Sequence, residues 1–415
     1  MLSRRTLVTS LDIGASSTKA VIAEVDSQGY VELLGHGQTP TYGFKDDVVN
    51  DIRELGDTIG ACVDMAEAMA SQRAGSLVVA IGGEHVRIVQ SHGGIPLHRG
   101  GSGAGSTYIS RQDIKSAIDN AAAAPVSVAL QVLHVLPTRY YVDGEKVRNP
   151  EGLSGSRLDV DVMIVAARQS VLNSIVKAAE YAECRISKFC YRPLATGKAV
   201  MSEREMDQGA CLVDIGGRHT DVAIFKEGKM VFTSTLALGG ENITLDSSSH
   251  LEIARAEAEK IKLSYGHCTS SLVDDVEFQV TGVSDGTLWR SIKKSVFGSD
   301  VIQPRVEEIL EESLKAIFGS GEQDSLPGGA ILTGGTTQLQ GFKGLASAIY
   351  PFPVNNGINS GFENMDEVAA CPGHATALGL VLYDMDQRIR RREDVMDNPI
   401  TRLCGKVLRK IHAVI

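Results

Sequence analysis

Two segments of this chain, about two hundred residues apart, repeat one pattern of hydrophobic and polar positions. Residues 7–25 and residues 210–225 each contain an apolar run, the triplet Asp-Ile-Gly, a few small or polar residues and a second β-rich run. Short apolar runs that are bounded by glycine are typical of buried strands. The repeat therefore predicts two halves of similar design, each with a strand–turn–strand unit at its centre.

The segments around these units predict a mixed α/β chain. Residues 51–70 carry apolar side chains at helical spacing, and residues 77–81 form a short apolar strand. Residues 84–166 contain strand, helix, strand and strand patterns with turns of their own, and residues 170–184 are again helical. We interpret residues 84–166 as an insert that interrupts the first half.

The composition of the chain argues against several classes of protein. The chain has 415 residues, a net charge of −10 and one tryptophan, which disfavours a general nucleic-acid-binding surface. Its seven cysteines are dispersed without a Cys-x-x-Cys pair, so we expect neither a disulfide framework nor a zinc site. No apolar run approaches the ~20 residues that span a bilayer, and the first residues lack the pattern of a signal peptide. We expect a cytosolic protein with more than one lobe.

The glycine turns are candidate phosphate-binding sites. The first comprises residues 12–19, the second residues 214–221, and the third, residues 334–336, follows another short apolar strand. Glycine lets backbone N–H groups approach an anion closely, and successive N–H groups form an anion-binding concavity. The carboxylates of Asp12 and Asp214 can hold a hydrated Mg²⁺. A single turn of this kind is most often a plain hairpin, so the prediction depends on all three occurring together.

Residues 134–158 carry a run that resembles one known family. The matching residues are His134, Pro137, Tyr141, Asp143, Gly144, Asn149, Pro150, Gly152, Leu153, Gly155, Arg157 and Leu158. With this run, residues 7–383 resemble FtsA, the actin-like cell-division protein of bacteria. The resemblance implies an α/β, actin-like two-lobed ATPase fold with duplicated ribonuclease-H-like halves, an inserted β-α-β-β subdomain and a C-terminal amphipathic helix.

The resemblance also implies a division of the chain into parts. The expected parts are residues 1–83 and 167–205 for the first lobe, 84–166 for the insert, 206–245 and 325–370 for the large subdomain of the second lobe, 246–324 for its small subdomain, 371–384 for a segment that closes on the first lobe, 385–398 for a charged linker and 399–415 for a membrane-targeting helix.

An ATP site between the lobes, with Mg²⁺, is a further implication of the resemblance. In actin-like folds a glycine pair and a Glu/Lys pair on a helix lie against the nucleotide, and Gly239-Gly240, Glu259 and Lys262 match them. Taken alone, Glu259 and Lys262 are an ordinary i,i+3 ion pair on a solvated helix face; the glycine turns around them favour nucleotide contact. The predicted nucleotide-binding residues are Asp12, Gly14, Ala15, Ser16, Ser17, Thr18, Lys19, Asp214, Gly216, Gly217, Arg218, His219, Thr220, Gly239, Gly240, Asn242, Glu259, Lys262, Gly334, Gly335 and Thr336.

Two departures from the family's pattern bear on the chemistry. Arg218 and His219 replace a glycine and a small residue of the second turn. Arg218 could clamp the terminal phosphates, close the space that glycine leaves open, or point to solvent. Arg192 stands in the hinge where the family often has an acidic or amide residue that helps to orient the attacking water. With no positioned general base, we expect ATP to act mainly as a conformational ligand, with weak hydrolysis at most.

The last residues of the chain form a strongly amphipathic pattern. On a helical projection one side is apolar and consists of Leu403, Val407, Leu408, Ile411, Val414 and Ile415. The opposite side is basic and consists of Arg402, Lys406, Arg409 and Lys410. Terminal amphipathic helices often dock on their own protein, but an apolar face opposite a purely cationic one is typical of a helix on anionic lipid. We predict a membrane-targeting helix, as the resemblance also implies.

Together these features predict an ATP-binding, actin-like cell-division protein that polymerises and anchors FtsZ filaments to the cytoplasmic face of the inner membrane. The resemblance adds later divisome proteins as partners, and no nucleic acid is expected. A basic group, Arg290, Lys293 and Lys294, is the predicted contact for the acidic tail of FtsZ. The alternatives are a PilM-like cytosolic scaffold of pilus assembly and an ATP-dependent small-molecule kinase of the actin superfamily.

Overall fold

The computed structural model describes residues 5–26, 28–97, 107–269, 276–281, 289–322, 326–364 and 366–397. In the first part of the chain the strands are β1 (Thr6–Ile13), β2 (Ser17–Val25), β3 (Val31–Pro40), β4 (Phe44–Lys45), β5 (Val48–Val49), β6 (Leu77–Ile81), β7 (Val86–Pro96), β8 (Thr107–Tyr108), β9 (Leu130–Val142), β10 (Glu145–Val147), β11 (Ser154–Gly155), β12 (Arg157–Arg168) and β13 (Ile186–Tyr191), and the helices are α1 (Ile52–Ala70), α2 (Arg111–Ala122), α3 (Gln169–Tyr181) and α4 (Arg192–Val200).

In its described residues, the second part of the chain has fewer strands and more helices than the first. The strands are β14 (Ala210–Ile215), β15 (Thr220–Lys226), β16 (Lys229–Leu236), β17 (Glu277–Thr281), β18 (Trp289–Lys293), β19 (Ala330–Thr333) and β20 (Val354–Asn356), and the helices are α5 (Glu203–Gln208), α6 (Gly240–Leu251), α7 (Arg255–Tyr265), α8 (Lys294–Phe297), α9 (Gln303–Gly319), α10 (Phe342–Ile349), α11 (Asp366–Ala370) and α12 (Ala375–Asp397). A π-helical segment, Gly298–Ile302, joins α8 to α9, and Gly335–Gln338 and Pro372–His374 form 3-10 helices.

The two halves have equivalent five-stranded sheets. The first sheet has the order β13-β6-β1-β2-β3 and the second β16-β15-β14-β19-β20. In each, the central strand is antiparallel to the next strand of the chain and parallel to a later one: β1 pairs with β2 and β6, and β14 pairs with β15 and β19. The predicted duplicated, actin-like α/β fold is confirmed, and the repeated strand–turn–strand unit is the centre of each sheet.

The helix α1 shows how the hydrophobic pattern positions these layers. Asp51 caps its N-terminus, since its side chain accepts hydrogen bonds from the backbone N–H groups of Arg53 and Glu54. The apolar face then buries Leu55 and Ile59 in the core of the first half. The helix ends at Ser71, which has a left-handed backbone. The sheet of the first half is thereby covered on one face.

The insert has a sheet and a core of its own. Its four strands have the order β10-β9-β12-β7, and α2 packs on β7. A capping box between Ser110 and Asp113 starts α2. The close approach of α2 needs Gly93, where a Cβ atom would lie 2.6 Å from the backbone of Ala121. Apolar residues of β12, with Leu158 fully buried, fill the space beneath the helix.

The helix α12 packs across the first half, mainly on α4. Contact is close at Gly379, where a Cβ atom would lie 1.8 Å from the carbonyl oxygen of Ala195. The buried carboxylate of Asp384 pairs with Lys188 at 2.5 Å and with Arg388 one turn later at 2.5 Å. The segment 385–398, predicted as a charged linker, is therefore helical as far as Asp397, and the predicted membrane-targeting residues 399–415 lie outside the described residues. Among the helices that are described, none combines the length and the apolar character needed to cross a bilayer.

Candidate functional site: the cleft between the two halves

A cavity of about 520 Å³ lies between the two halves, and all three glycine turns line it. The predicted residues that line it are Asp12, Gly14, Ala15, Ser16, Ser17, Lys19, Asp214, Gly216, Gly217, Arg218, His219, Gly240, Glu259, Lys262, Gly334, Gly335 and Thr336. Thr18 and Thr220 instead turn inward, where Thr18 shares a hydrogen bond with Thr41 at 2.9 Å and Thr220 donates to the carbonyl of Leu238 at 2.8 Å. Gly239 and Asn242 stand behind the cavity wall, where the Gly239 N–H donates to Asn242 Oδ1.

The two hairpin turns are built alike and face each other. In the first, the N–H of Gly14 donates to the carbonyl of Ser17 at 3.2 Å; in the second, the N–H of Gly216 donates to the carbonyl of His219 at 2.9 Å. The tips approach so closely that a Cβ atom on Gly217 would lie 2.3 Å from Ser16 Oγ. Two concave turns therefore meet at one point of the cleft.

The N-terminus of α6 rests on the second hairpin. The N–H groups of Gly240 and Glu241 donate to the carbonyls of Gly216 and Gly217 at 3.0 and 2.6 Å. A Cβ atom on Gly239 would lie 2.7 Å from the Gly217 carbonyl oxygen, so only glycine fits there without movement. The positive end of the helix dipole is consequently directed at the hairpin that faces the cavity.

Lys262 ties α7 to the same region. Its ammonium group is buried and donates to the Gly240 carbonyl at 3.0 Å and to Thr244 Oγ1 at 2.9 Å, and it pairs with Glu259 at 2.7 Å. The third glycine turn completes this wall, because Thr336 Oγ1 donates to the Gly216 carbonyl at 2.9 Å. The Glu/Lys pair thus lines the cavity, with Lys262 buried and Glu259 partly exposed.

Arg218 and His219 reach across the cleft to the turn between β4 and β5. Arg218 pairs with Asp46 at 2.7 Å, and His219 Nε2 lies 3.1 Å from Asp47 Oδ2. Burial opposes ionisation of Asp47, but the bonds from His219 and from the Glu84 N–H, with the nearby charge of Arg192, hold its pKa below the usual value. Arg218 was expected to clamp phosphates, to close the turn or to point to solvent. In the structure its side chain instead pairs with Asp46 of the other half.

The resemblance placed Arg192 in the hinge, at a position that helps to orient the attacking water, but Arg192 was not among the predicted nucleotide-binding residues. Arg192 begins α4, and its Nε lies 3.6 Å from Asp12 Oδ1 while its Nη1 lies 3.7 Å from Asp221 Oδ2. Burial alone would lower the pKa of the guanidinium, but the carboxylates of Asp12, Asp221, Asp214 and Asp47 raise it above its ordinary value. Asp47 was also missed, because the turn that carries it is distant in sequence from both hairpins; two adjacent acidic residues in a short turn were the only signal.

The carboxylates at the cavity floor fit a dedicated Mg²⁺ site poorly. Burial raises the pKa of Asp214 to about 7, with Asp221 adding to the shift, and Thr196 Oγ1 donates to Asp214 Oδ2 at 3.1 Å. Asp12 Oδ1 is buried without a hydrogen bond, but the cation beside it is already the guanidinium of Arg192. Among the described residues, no group of three or more metal-ligating side chains comes together.

The predicted FtsZ-contact residues lie at the end of β18 and the start of α8. Arg290 donates to the carbonyl of Leu251 and lies 3.7 Å from Glu252. Lys294 donates to Gln340 at 3.4 Å, and Lys293, at the end of β18, is exposed. Arg290 and Lys293 lie three residues apart on the strand and therefore on opposite faces of it, and Arg290 and Lys294 are each engaged by their own domain.

Comparison with known proteins identifies the family. The family model "Cell division protein FtsA" matches residues 211–379, and "SHS2 domain inserted in FTSA" matches residues 83–166. The cell division protein FtsA of Pseudomonas aeruginosa is 31% identical over 384 residues, covering 92% of this chain and 90% of the relative. FtsA of Bacillus subtilis is 30% identical with 92% and 84% coverage, and FtsA of Escherichia coli is 28% identical with 99% and 97% coverage.

Solved structures agree on the actin-like fold. A structure titled PilM-PilN type IV pilus biogenesis complex superposes with a TM-score of 0.64 at 19% identity, covering 91% of this chain and 98% of the other. MreB 5 of Spiroplasma citri bound to AMPPNP gives a TM-score of 0.52 at 12% identity, covering 94% and 98%. At these identities the likeness concerns the fold alone, so neither the pilus scaffold nor a kinase is favoured over the family found by sequence. This chain belongs to the FtsA family of cell division proteins.

Proposed function

We propose that this protein binds ATP in the cleft between its halves and anchors FtsZ filaments to the cytoplasmic face of the inner membrane. The observation that carries the nucleotide part is the convergence of three glycine turns, the N-terminus of α6 and Lys262 on one cavity. Backbone N–H groups at facing turns, supported by a helix N-terminus, suit a chain of phosphates. Leu263 of α7 and Leu339 give part of the cavity an apolar lining, which suits a base.

ATP acts in this proposal as a conformational ligand. The carboxylates nearest to the hairpin tips are poor proton acceptors: Asp214 accepts from Thr196, Asp221 accepts from Thr235 at 2.6 Å and lies beside Arg192, and Asp12, whose Oδ1 has no hydrogen bond, lies 3.6 Å from Arg192 Nε. A general base must take up a proton from the attacking water, and a guanidinium beside a carboxylate favours the ionised form of that carboxylate. We therefore expect turnover to be slow at most, with the two halves held together by the bound phosphates.

Mg²⁺ is the part of the cofactor prediction that these residues support least. The predicted ligands, Asp12 and Asp214, lie beside a resident guanidinium, and Asp214 is not fully ionised near pH 7 because its pKa is raised to about 7. We assign no step to the metal.

Attachment to the membrane is proposed for residues 399–415. Four cations on one side of the predicted helix would each contribute roughly 1 kcal/mol near an anionic surface, before the apolar side is counted. The family found for this chain, a cell division family, supports FtsZ, later divisome proteins and other copies of the chain as partners. Actin-like chains stack head to tail through heterologous contacts, so we include filament formation.

Co-sedimentation of the full chain with vesicles tests the membrane part. With phosphatidylglycerol-containing vesicles the protein should pellet, and with phosphatidylcholine alone it should not. Leu408→Glu or Ile411→Glu should release it, whereas Gly405→Glu adds the same charge outside the apolar side and should not. Retention of both apolar-side variants would contradict the proposed helix.

Binding of a peptide with the acidic C-terminal sequence of FtsZ tests the partner. Lys293→Glu together with Lys294→Glu should weaken the complex by roughly tenfold, since two rim charges change sign. Lys315→Glu on α9, which is exposed and pairs with Glu312 at 2.7 Å, is the matched control. Equal weakening by both variants would assign the effect to net charge and not to this surface.

A further inference from the structure

The second hairpin contains an acidic pair that the first does not. Asp214 and Asp221 are cross-strand partners at the turn, whereas the equivalent partners in the first hairpin are Asp12 and Lys19. Both acids of the second hairpin are almost fully buried. Two like charges directly opposite each other destabilise a hairpin, and their burial adds to the cost. The pair therefore needs a proton on one acid, toward which the raised pKa of Asp214 points, or a cation beside it.

Arg192 supplies that cation from the hinge. Its guanidinium lies between the two hairpins, 3.6 Å from Asp12 and 3.7 Å from Asp221, and its Nη2 donates to the carbonyl of Ile13 at 3.5 Å. Charge-assisted hydrogen bonds are about 2.7–2.9 Å long. Arg192 thus acts on the neighbouring carboxylates by its charge, while most of its five N–H groups do not make a short hydrogen bond.

The position of the guanidinium is fixed by its surroundings. Gly82 follows β6, and a Cβ atom there would lie 2.8 Å from Arg192 Nη1, so the side chain fills the space that glycine provides. The residue starts α4, which is followed at once by Pro193, and the backbone is thereby held at the junction of the halves. One side of the guanidinium still faces the cavity, where Arg192 is a lining residue.

We propose that Arg192 is the resident cation of the cleft: it neutralises Asp12, Asp214 and Asp221 and donates to the terminal phosphate of a bound nucleotide, so that nucleotide binding does not require a divalent metal. The phosphate part of this inference rests on the proposed ATP site. The neutralising part does not, because it follows from the carboxylates alone. An arginine in this place also fits slow hydrolysis, since a guanidinium cannot accept a proton from water.

Calorimetric titration of the full chain with ATP, in MgCl₂ and separately in EDTA, tests the phosphate part. The unmodified protein should bind with dissociation constants that agree within about threefold. Arg192→Gln should lose at least about thirtyfold in EDTA, the usual result of truncating one partner of a buried charge pair, and should recover much of that loss in MgCl₂. Arg192→Lys, which keeps the charge but not the planar fork, should fall between the two.

Thermal unfolding of the nucleotide-free protein tests the neutralising part. MgCl₂ should leave the melting temperature of the unmodified protein unchanged and raise that of Arg192→Gln, because the acidic cluster then has room and charge for a metal. Arg305→Gln is the matched control: Arg305 pairs with Asp246 at 2.6 Å away from the cleft, and its loss removes the same charge. That variant should gain nothing from MgCl₂.

The outcomes separate this inference from the ATP proposal. Loss of about a hundredfold or more in ATP affinity when EDTA replaces MgCl₂, in the unmodified protein, would overturn the inference while leaving the ATP site intact. If the unmodified protein binds ATP in neither buffer, the ATP proposal fails. The melting temperatures in MgCl₂ then test on their own whether Arg192 neutralises the carboxylates. Equal gains from MgCl₂ in the unmodified protein and in Arg192→Gln would overturn that role too. If Arg192→Gln does not fold, the comparison of the two buffers on the unmodified protein still decides.

Discussion

The two hairpins of the cleft share a backbone and differ at their tips. Each closes the same turn, with Asp12 opposite Lys19 in the first and Asp214 opposite Asp221 in the second. The first tip is Ala15-Ser16-Ser17, which presents small side chains to the cavity. The equivalent residues of the second tip are Gly217-Arg218-His219, and the last two bind Asp46 and Asp47 of the opposite half.

This difference separates two tasks that one duplicated unit performs. The first hairpin keeps its hydroxyls and backbone N–H groups for a ligand. The second uses its side chains to join the halves, so that in the proposed site only its backbone and the neighbouring Arg192 are left for ligand contact, with the N-terminus of α6 bonded to the hairpin behind them. The Arg218–Asp46 and His219–Asp47 contacts therefore join the two halves across the cleft.

Acid should act mainly on the first half, and this is the largest effect we expect. Burial lowers the pKa values of His85, His134 and His374 to about 4; His85 and His134 belong to the insert of the first half, and His374 to the segment packed on that half. Below about pH 6.5 these histidines become protonated in the unfolded chain but stay neutral in the folded chain. The free energy of unfolding therefore falls as the pH drops from 6.5 toward 4, by about 3 kcal/mol for each histidine.

Urea unfolding at pH 7 and pH 5 measures this loss. His134→Gln keeps an acceptor for the Tyr191 N–H, which donates to His134 Nε2 at 2.9 Å, and removes one titrating group. Its stability should depend less on pH than that of the unmodified chain. His250→Gln, at an exposed position, is the control. An unchanged pH dependence for His134→Gln would contradict burial of a neutral histidine.

Removing His219 should cost more than removing its counterpart in the first hairpin. His219→Ala deprives the buried Asp47 carboxylate of one of its two partners and should lower the free energy of unfolding by about 2 kcal/mol. Ser17→Ala removes a half-buried hydroxyl and should change the free energy of unfolding by less than about 0.5 kcal/mol. Chemical denaturation of both variants at pH 7 compares them; similar losses would mean that the two tips have the same structural role.

The first glycine of each hairpin offers a comparison of backbone tightness. A Cβ atom on Gly14 would lie 2.8 Å from the Ser17 carbonyl oxygen, whereas one on Gly216 would lie 3.2 Å from that of His219. Gly14→Ala should therefore destabilise the protein by about 1–2 kcal/mol and Gly216→Ala by less than about 1 kcal/mol. Thermal unfolding of the two variants shows which substitution destabilises the protein more. A larger loss for Gly216→Ala than for Gly14→Ala would contradict the difference in these distances.

The smallest effect should come from the exposed ion pair of the second tip. The Arg218–Asp46 pair is partly solvated, with side chains 32% and 56% exposed. Arg218→Ala should cost less than about 1 kcal/mol of stability, and the loss should vanish in 1 M NaCl, where exposed pairs are screened. Stability measured at low and high salt distinguishes this outcome from a buried, salt-insensitive contact.

Much of the fold could be predicted because it depends on local pattern. The apolar runs around Asp12 and Asp214 became the central strands of two sheets, and the insert run from His134 to Leu158 pointed to the family that the comparisons confirmed. The glycine turns also lie where their chemistry suggested, around one cavity. Each of these features can be predicted from a short segment, because it depends only on a strand with alternating side chains and on the turn that follows it.

What could not be predicted depends on contacts between distant segments. Asp47 meets the second hairpin only after the halves have assembled, and nothing in its immediate sequence indicates this contact. The resemblance indicated the hinge position of Arg192 but not its contacts with Asp12 and Asp221. The extension of α12 through the charged segment was missed for a different reason: its polar residues read as a linker, but the pairing of Arg388 with the buried Asp384 one turn earlier stabilises the helix.

Hydrogen–deuterium exchange of the full chain, with and without ATP, tests the central claim that both hairpins bind one nucleotide. The account predicts that ATP slows exchange at residues 14–17 and 216–219 together, and at the N-terminus of α6. Slowing in only one hairpin, or at neither while ATP is bound elsewhere, would contradict a shared site between the two halves.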